Sequence, residues 1–140
     1  MFDRVREMFA DSGLPYAPHP ERVPNTQLLL ELGELARAED RHPAYHEAAM
    51  AALWEEGRDV SDPDVVRDVA VGAGLDPAAV DEAIATRAYR AVVEASTREA
   101  HSLGINAVPA FVIDERQLVL GAQPHAVFEE ILAGRALPGA

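Results

Sequence analysis

One apolar stretch near the C-terminus decides the fold, and it reads Ala107-Val108-Pro109-Ala110-Phe111-Val112-Ile113. A strand with one solvated face alternates apolar and polar residues, whereas this stretch is apolar at every position. Its aromatic and β-branched residues favour a strand, and Pro109 is tolerated where a strand begins. We therefore predict a strand over 110–113 that lies inside a sheet, with a layer packed on each face.

A second short strand follows and should form a hairpin with the first. Leu118-Val119-Leu120 comes after the polar link Asp114-Glu115-Arg116-Gln117, a pattern typical of a hairpin. We find no third strand in the sequence, although a two-stranded ribbon is marginal in water and its open edge invites pairing. Either the sheet is completed from outside the chain, by a second copy or another polypeptide, or the chain is part of a longer protein. The alternative is that helices wrap the hairpin and shield its edge.

Helix signals dominate the sequence before residue 105, where Pro and Gly set short spans. The pattern predicts six helices there, which begin near residues 2, 25, 42, 61, 76 and 86, and a final helix from about 124 to Gly134. The third helix is expected to reach Glu56 and the sixth to cover 87–103. Residues 14–24 hold four prolines and should form a loop or extended connector. The predicted N-terminal caps are Asn25, Ser61 with Asp62 and Asp64, Asp76, and Thr86.

The core is predicted from apolar residues that recur at helical spacing. In chain order these are Phe2, Val5, Met8, Phe9, Leu28, Leu29, Leu32, Leu35, Ala36, Tyr45, Ala49, Ala52, Leu53, Val65, Val66, Val69, Val80, Ile84, Val127, Phe128, Ile131 and Leu132. Trp54, Phe111 and Phe128 are read as core aromatic residues. The expected fold class is α+β, mostly helical, with a two-stranded β element followed by a last helix.

The composition excludes several classes of function. The 140 residues include 12 basic residues, all Arg, and 24 Asp and Glu, for a formal net charge of −12. That charge argues against a basic nucleic-acid-binding surface and against a polybasic membrane anchor. Apolar runs are far shorter than the roughly 18 residues of a membrane span, so we expect a soluble, cytoplasmic protein without nucleic-acid or membrane partners. Cys is absent, which excludes a disulfide, a thiolate metal site and a cysteine nucleophile for this chain as given.

Other candidate ligands and bases have structural explanations. His42 and His46 are four residues apart, but no third ligand is apparent, so a surface pair is expected rather than a metal site. The acidic cluster Asp59, Asp62 and Asp64 lacks the Gly and distal Glu of a calcium loop and is explained by helix capping. The other histidines near the hairpin, His101 and His125, have no nucleophile to serve and are expected at the surface.

Several short motifs, taken in order, resemble a known family. They are Pro24-Asn25-Thr26, Glu56-Gly57-Arg58-Asp59, Ala73-Gly74-Leu75-Asp76, Gly104-Ile105-Asn106-Ala107-Val108-Pro109 and Gly121-Ala122-Gln123-Pro124. Together with the helices between them, they make the chain similar to the DsbA-like thioredoxin-fold proteins, specifically the FrnE-like branch. In that family a helical domain interrupts a thioredoxin unit, and the first half of the unit supplies the Cys-x-x-Cys helix.

The resemblance implies an assignment for each part of the chain. Residues 1–104 would be the helical insertion domain, and residues 105–140 would be the second half of a partial thioredoxin-like fold. Val108-Pro109 would be the family's cis-proline loop, where Ala107, Val108 and Pro109 pair with a substrate peptide as an added strand. The implied partners are protein or peptide thiols, with no cofactor, no metal and no catalytic residue in this chain.

Three functional hypotheses follow. The first is a FrnE-type thiol-disulfide oxidoreductase without its Cys-x-x-Cys half, which would be redox-inactive as this chain. A second is a glutathione-binding protein like the kappa-class transferases and hydroxychromene-carboxylate isomerases, which share the architecture. The third is a non-enzymatic binding module that pairs, as a homodimer or with another chain, through its exposed strand edge.

Overall fold

The computed structural model describes residues 2–17 and 23–134, and the side chains from residue 3 onward within them. Its helices are α1 (Phe2–Asp11), α2 (Gln27–Ala38), α3 (His42–Met50), α4 (Pro63–Gly72), α5 (Pro77–Thr86), α6 (Arg90–Ser102) and α7 (His125–Leu132). Its strands are β1 (Ala110–Ile113) and β2 (Gln117–Leu120). The mostly helical α+β class is therefore confirmed. The chain divides into two compact units, residues 1–95 and residues 96–140.

The core of the first unit lies where α2 contacts α3, α4 and α5. The residues with no exposed surface are Leu32, Ala36, Val60, Val66, Ala70 and Val80. The apolar stripe of α2 is thus confirmed, as is the inward face of α3, where Tyr45 is 3% exposed. The Tyr45 hydroxyl donates to the Leu29 carbonyl at 2.7 Å, and burial raises the pKa of Tyr45, so the phenol stays a hydrogen-bond donor.

Aspartates cap two of the helices. The Asp62 carboxylate accepts from the Asp64 N–H, and the Asp76 carboxylate accepts from the Ala79 N–H, each at 2.9 Å. Ser61 does not cap α4, because its hydroxyl instead accepts from the Asn25 N–H at 2.7 Å. Asn25 accepts from the Gln27 N–H at 2.9 Å, but the N-cap position of α2 is Thr26, so the predicted cap lies one residue too early.

Two predicted helices end or begin elsewhere. The helix predicted to reach Glu56 ends as α3 at Met50, and a π-helical turn over Ala51–Glu55 follows it. The helix predicted over 87–103 begins only at Arg90. Thr86 belongs to α5, where its hydroxyl donates to the Glu82 carbonyl at 2.7 Å, so it is not free to cap α6. Arg87 then adopts a left-handed backbone conformation, with a φ of 53°, and this residue ends α5.

The second unit contains the hairpin. In the described residues β1 pairs only with β2, antiparallel, with Phe111 opposite Val119. The Phe111 and Phe128 rings meet edge-on at 4.8 Å between centroids, so α7 packs on that face of the hairpin. On the other face, a Cβ placed on Gly104 would lie 4.0 Å from the Leu118 side chain. The predicted position inside a sheet, with a layer packed on each face, is therefore not seen in the described residues, where β1 has one strand neighbour and Val112 is 53% exposed.

Some predicted core residues are exposed. Met8 is 58% exposed, Leu132 is 77% exposed and Phe111 is 40% exposed, so their assignment to the core is wrong. Trp54 is half-buried and stacks with Tyr16 at 6.5 Å between centroids. The spacing of apolar residues shows which face of a helix is apolar. It does not show whether another part of the protein covers that face.

Parts of three predictions fall outside the described residues. Pro18 and Pro20 of the predicted connector belong to 18–22, and the last residues of the predicted second half belong to 135–140. The side chain of Phe2 is likewise outside the description. None of the helices within 2–17 and 23–134 is long and apolar enough to cross a membrane.

Candidate functional site

A helix cap positions the loop that precedes β1. Gly104 follows α6 with a φ of 80°, and its N–H donates to the His101 carbonyl at 3.0 Å. The Ile105 N–H donates to the Ala100 carbonyl, also at 3.0 Å. These two bonds are the Schellman arrangement, in which a left-handed glycine ends a helix and turns the chain away. The glycine at this cap therefore determines how the chain over 105–109 leaves the end of α6.

The three predicted binding residues lie together on this loop. Ala107, Val108 and Pro109 are all exposed, and Val108 is the extreme case at 89%. The Val108–Pro109 peptide bond is cis. The Pro109 carbonyl accepts from the Gly121 N–H at 2.7 Å, which ties the loop to the residue after β2.

That last hydrogen bond also shows which backbone groups of β1 are free. In an antiparallel pair, hydrogen-bonded residues alternate with residues whose N–H and C=O point to the opposite side. Because Pro109 bonds to Gly121, the register assigns Phe111 and Ile113 to β2. The N–H and C=O groups of Ala110 and Val112 then face the other edge of β1, which pairs with no strand among the described residues. An added strand would find two donors and two acceptors there.

A pocket of about 340 Å³ adjoins the loop, within the second unit. The last turns of α6 and the loop that follows it form the walls, which are lined by Thr97, Ala100, His101, Ile105, Asn106, Ala107 and Val108. Most of the lining is aliphatic, with polar groups at Thr97, His101 and Asn106. Ala107 and Val108 belong to both the pocket and the predicted binding loop, so the two features form one surface.

The resemblance to DsbA-like proteins points to the loop but not to the pocket. Ile105 and Asn106 belong to a motif that carries the resemblance, but nothing in their residue types or in that of Ala100 indicates a pocket. One signal was present, namely Gly104 at the end of a predicted helix with an apolar residue directly after it. A Schellman cap commonly brings that residue back toward the helix end, which is how Ile105 comes to line a pocket with Ala100.

The remaining candidates show no catalytic or metal arrangement. The His42 and His46 rings lie parallel at 5.8 Å, and the described residues contain no group of three or more potential ligands that could hold a metal. His125 lies 3.6 Å from Glu129 with both side chains largely exposed. Asp59 accepts from the Ser61 N–H at 2.9 Å, so the acidic cluster serves turns and caps as predicted.

One buried acidic residue was missed by the sequence analysis. Glu31 is 1% exposed in the middle of α2, and Arg87 donates to both of its carboxylate oxygens at 2.8 and 2.6 Å. The Arg87 hydrogen bonds lower the pKa of Glu31 against the opposing effect of burial. Glu31 lies three residues after Leu28 and four before Leu35, on the apolar face of the helix, and that spacing was the available signal.

Comparison with known proteins supplies the relatives of this chain. A probable DsbA oxidoreductase from Streptomyces coelicolor has a similar crystal structure, with a TM-score of 0.82 and 35% identity over 99% of this chain and 61% of that one. The uncharacterised protein YwbO of Bacillus subtilis is 29% identical over 118 residues, which are 84% of this chain and 56% of that protein. This chain thus spans less than two thirds of the length of either relative. Residues 1–133 match the model of the DSBA-like thioredoxin domain, and the chain therefore belongs to that family.

Proposed function

We propose that this chain is the helical domain and second thioredoxin half of a FrnE-type thiol-disulfide oxidoreductase. On this proposal residues 1–104 are the helical insertion domain and residues 105–140 are the thioredoxin portion. The chain itself holds the substrate polypeptide, and the electron transfer belongs to a Cys-x-x-Cys half. The proposed substrates are protein or peptide thiols, and the proposed location is the cytoplasm.

The observation that carries the proposal is the loop over 107–109 beside the free edge of β1. Val108 is 89% exposed, and the adjoining backbone groups of Ala110 and Val112 point away from β2. An exposed loop of this kind can pair with an extended peptide through main-chain hydrogen bonds, while the unpaired edge of β1 is the place where the proposed Cys-x-x-Cys half would complete the sheet. The similarity to a probable DsbA oxidoreductase supports the same assignment.

Redox chemistry is not expected from the chain as given. Thiol-disulfide exchange needs a thiolate that attacks a disulfide sulfur, and the sequence contains no Cys. In an insulin-reduction assay with dithiothreitol, we expect turbidity to develop at the uncatalysed rate, with thioredoxin as the positive control. Turnover clearly above that rate would contradict the proposal, because it would require a redox group other than a cysteine.

A second candidate function is a binding module whose sheet is completed by another chain. The unpaired edge of β1 favours it, because the backbone N–H and C=O groups of Ala110 and Val112 face no strand among the described residues, although the sequence of the strand is typical of a buried position. The completing strand would come from a second copy or from another polypeptide. Light scattering tests the self-pairing form: we expect a mass above that of a monomer at micromolar concentration, and a strict monomer would exclude the homodimer.

A further inference from the structure

We infer that helix α1 is a docking surface for a second copy of this chain, and that two copies pair weakly with their α1 helices antiparallel. The surface consists of Arg4, Met8 and Asp11, which we call the α1 stripe. It lies in the first unit, whereas the proposed function places its binding loop and its unpaired strand edge in the second unit. The inference therefore goes beyond the proposed function.

One side of α1 is already in contact with the rest of the first unit. The centroid of the Phe9 ring lies 5.0 Å from that of Tyr16 and 6.2 Å from that of Trp54. Shortly after the helix, the Ala17 N–H donates to the Trp54 carbonyl at 2.8 Å. These contacts determine which side of α1 faces inward, and that side is the one that carries Phe9.

The α1 stripe points away from this contact. Successive members are four and three residues apart, so Arg4, Met8 and Asp11 form one line along the helix. At 3.6 residues per turn, that line lies roughly 100–160° around the helix axis from Phe9. Arg4 and Asp11 are exposed, and Met8 is 58% exposed. The half-buried Val5 borders Met8 and adds apolar surface to the stripe.

The two charges of the stripe are complementary to those of a second copy. Among the described residues, Arg6 pairs with Asp3 within α1, whereas Arg4 and Asp11 make no ion pair. These two are seven residues apart, about 10 Å along the helix at roughly 1.5 Å per residue, and Met8 lies next to their midpoint. A twofold axis through that midpoint places Arg4 of each copy opposite Asp11 of the other and brings the two Met8 side chains together.

The same charges select the orientation of the pair. In a parallel pair Arg4 would face a second Arg4, and Asp11 a second Asp11, so like charges would repel each other. Met8 suits the centre of such a contact because its flexible side chain adapts to a partner surface. One ten-residue helix from each copy buries less than the roughly 1,200 Å² of a standard interface. The net charge of −12 also repels the copies at long range, so the dimer should be weak.

Sedimentation equilibrium of the full chain with charge reversals tests the inference. In about 0.15 M salt, which screens the net repulsion beyond roughly 8 Å, the mean mass of the wild type should rise above 15.1 kDa as the concentration approaches the millimolar range. Arg4→Asp and Asp11→Arg should each weaken dimerisation about tenfold or more, because each replaces two ion pairs by two like-charge contacts. Asp11→Arg makes the net charge less negative, so general repulsion would predict the opposite effect.

A mixture of the two single variants distinguishes this surface from any other. The Arg4→Asp chain carries two acidic side chains on the α1 stripe, and the Asp11→Arg chain carries two basic ones. An equimolar mixture should therefore form a heterodimer although each variant alone is monomeric. The control is Arg6→Asp, which makes the same charge change on another side of α1 and should alter the dissociation constant by less than about twofold. Circular dichroism spectra equal to that of the wild type verify that each variant is folded.

Two results would overturn the inference. One is a wild type that stays at 15.1 kDa up to the highest concentration. The other is a dimer that neither charge reversal weakens and that the mixture of variants does not restore, because such a dimer would use another surface, for example the edge of β1. Neither result affects the proposed function, which the insulin-reduction assay tests separately.

Discussion

Arg87→Ala should lower the free energy of unfolding by about 3 kcal/mol at pH 7. Its guanidinium is the cation that holds the carboxylate of Glu31, which is 1% exposed, and a buried charge without its partner costs about 3–5 kcal/mol. We expect a loss at the lower end of that range because the Arg87 side chain is 41% exposed. Its removal therefore lets water reach the Glu31 carboxylate. Both Arg and Ala tolerate the φ of 53° equally poorly, and the difference therefore isolates the side chain. Urea denaturation followed by circular dichroism provides the measurement.

Arg67→Ala is the matched control for that experiment. Arg67 donates to both oxygens of Asp81 in a pair that is exposed on both sides, and exposed pairs contribute only about 0.2–1 kcal/mol. Equal losses of unfolding free energy from Arg67→Ala and Arg87→Ala would mean that burial of Glu31 does not make its ion pair more stabilising than an exposed one. That result would contradict our account of the turn between α5 and α6.

The same pair should leave a signature in the pH dependence of stability. The pKa of Glu31 is lowered from its ordinary value of 4.5 in the folded state, so its ion pair stabilises the fold at pH above 4.5. This contribution is lost as the pH falls below 4.5 and through the folded-state value. The difference in the free energy of unfolding between the wild type and Arg87→Ala should accordingly be largest at pH 7 and should shrink in acid. A difference that grows below pH 4.5 would contradict this assignment.

Leu32→Ala should have an effect of similar size, about 3 kcal/mol. Leu32 has no exposed surface at the centre of the first unit, and Leu→Ala substitutions at such sites cost about 2–5 kcal/mol through lost burial and the cavity left behind. Leu30→Ala is the control on the same helix, at a leucine that is 54% exposed, and it should change the free energy of unfolding by less than about 1 kcal/mol. Comparable losses from both would show that the apolar stripe of α2 is placed on the wrong face.

The sequence predicts the parts of this fold that depend on local periodicity. The stripe through Leu29, Leu32 and Leu35 and the caps at Asp62 and Asp76 follow from spacing and from side chains that reach a helix end. The ion pair between Arg87 and Glu31 does not, because its two residues are 56 positions apart in the chain. Thr86 is misleading for a related reason, since its hydroxyl has two ways to bond locally and takes the Glu82 carbonyl. Interactions between distant residues decide such positions, and a local pattern does not contain them.

The candidate site divides in the same way. The apolar run through Phe111 predicts the strand and its shortage of neighbours, and the resemblance to DsbA-like proteins points to Ala107, Val108 and Pro109. The pocket beside them forms only when the Schellman turn at Gly104 sets Ile105 near Ala100. Its lining residues are of common types, so only their arrangement in the structure identifies them as the walls of a pocket.

The central claim is that the outer edge of β1 takes up a strand, and amide hydrogen exchange at single residues tests it most directly. In the free protein the amides of Ala110 and Val112 should exchange quickly, while those of Phe111 and Ile113 are protected by their bonds to β2. Addition of a Cys-x-x-Cys thioredoxin half that completes the sheet should slow exchange at Ala110 and Val112 and leave their neighbours unchanged. Saturation with that half that leaves both amides exchanging as fast as before would contradict the account.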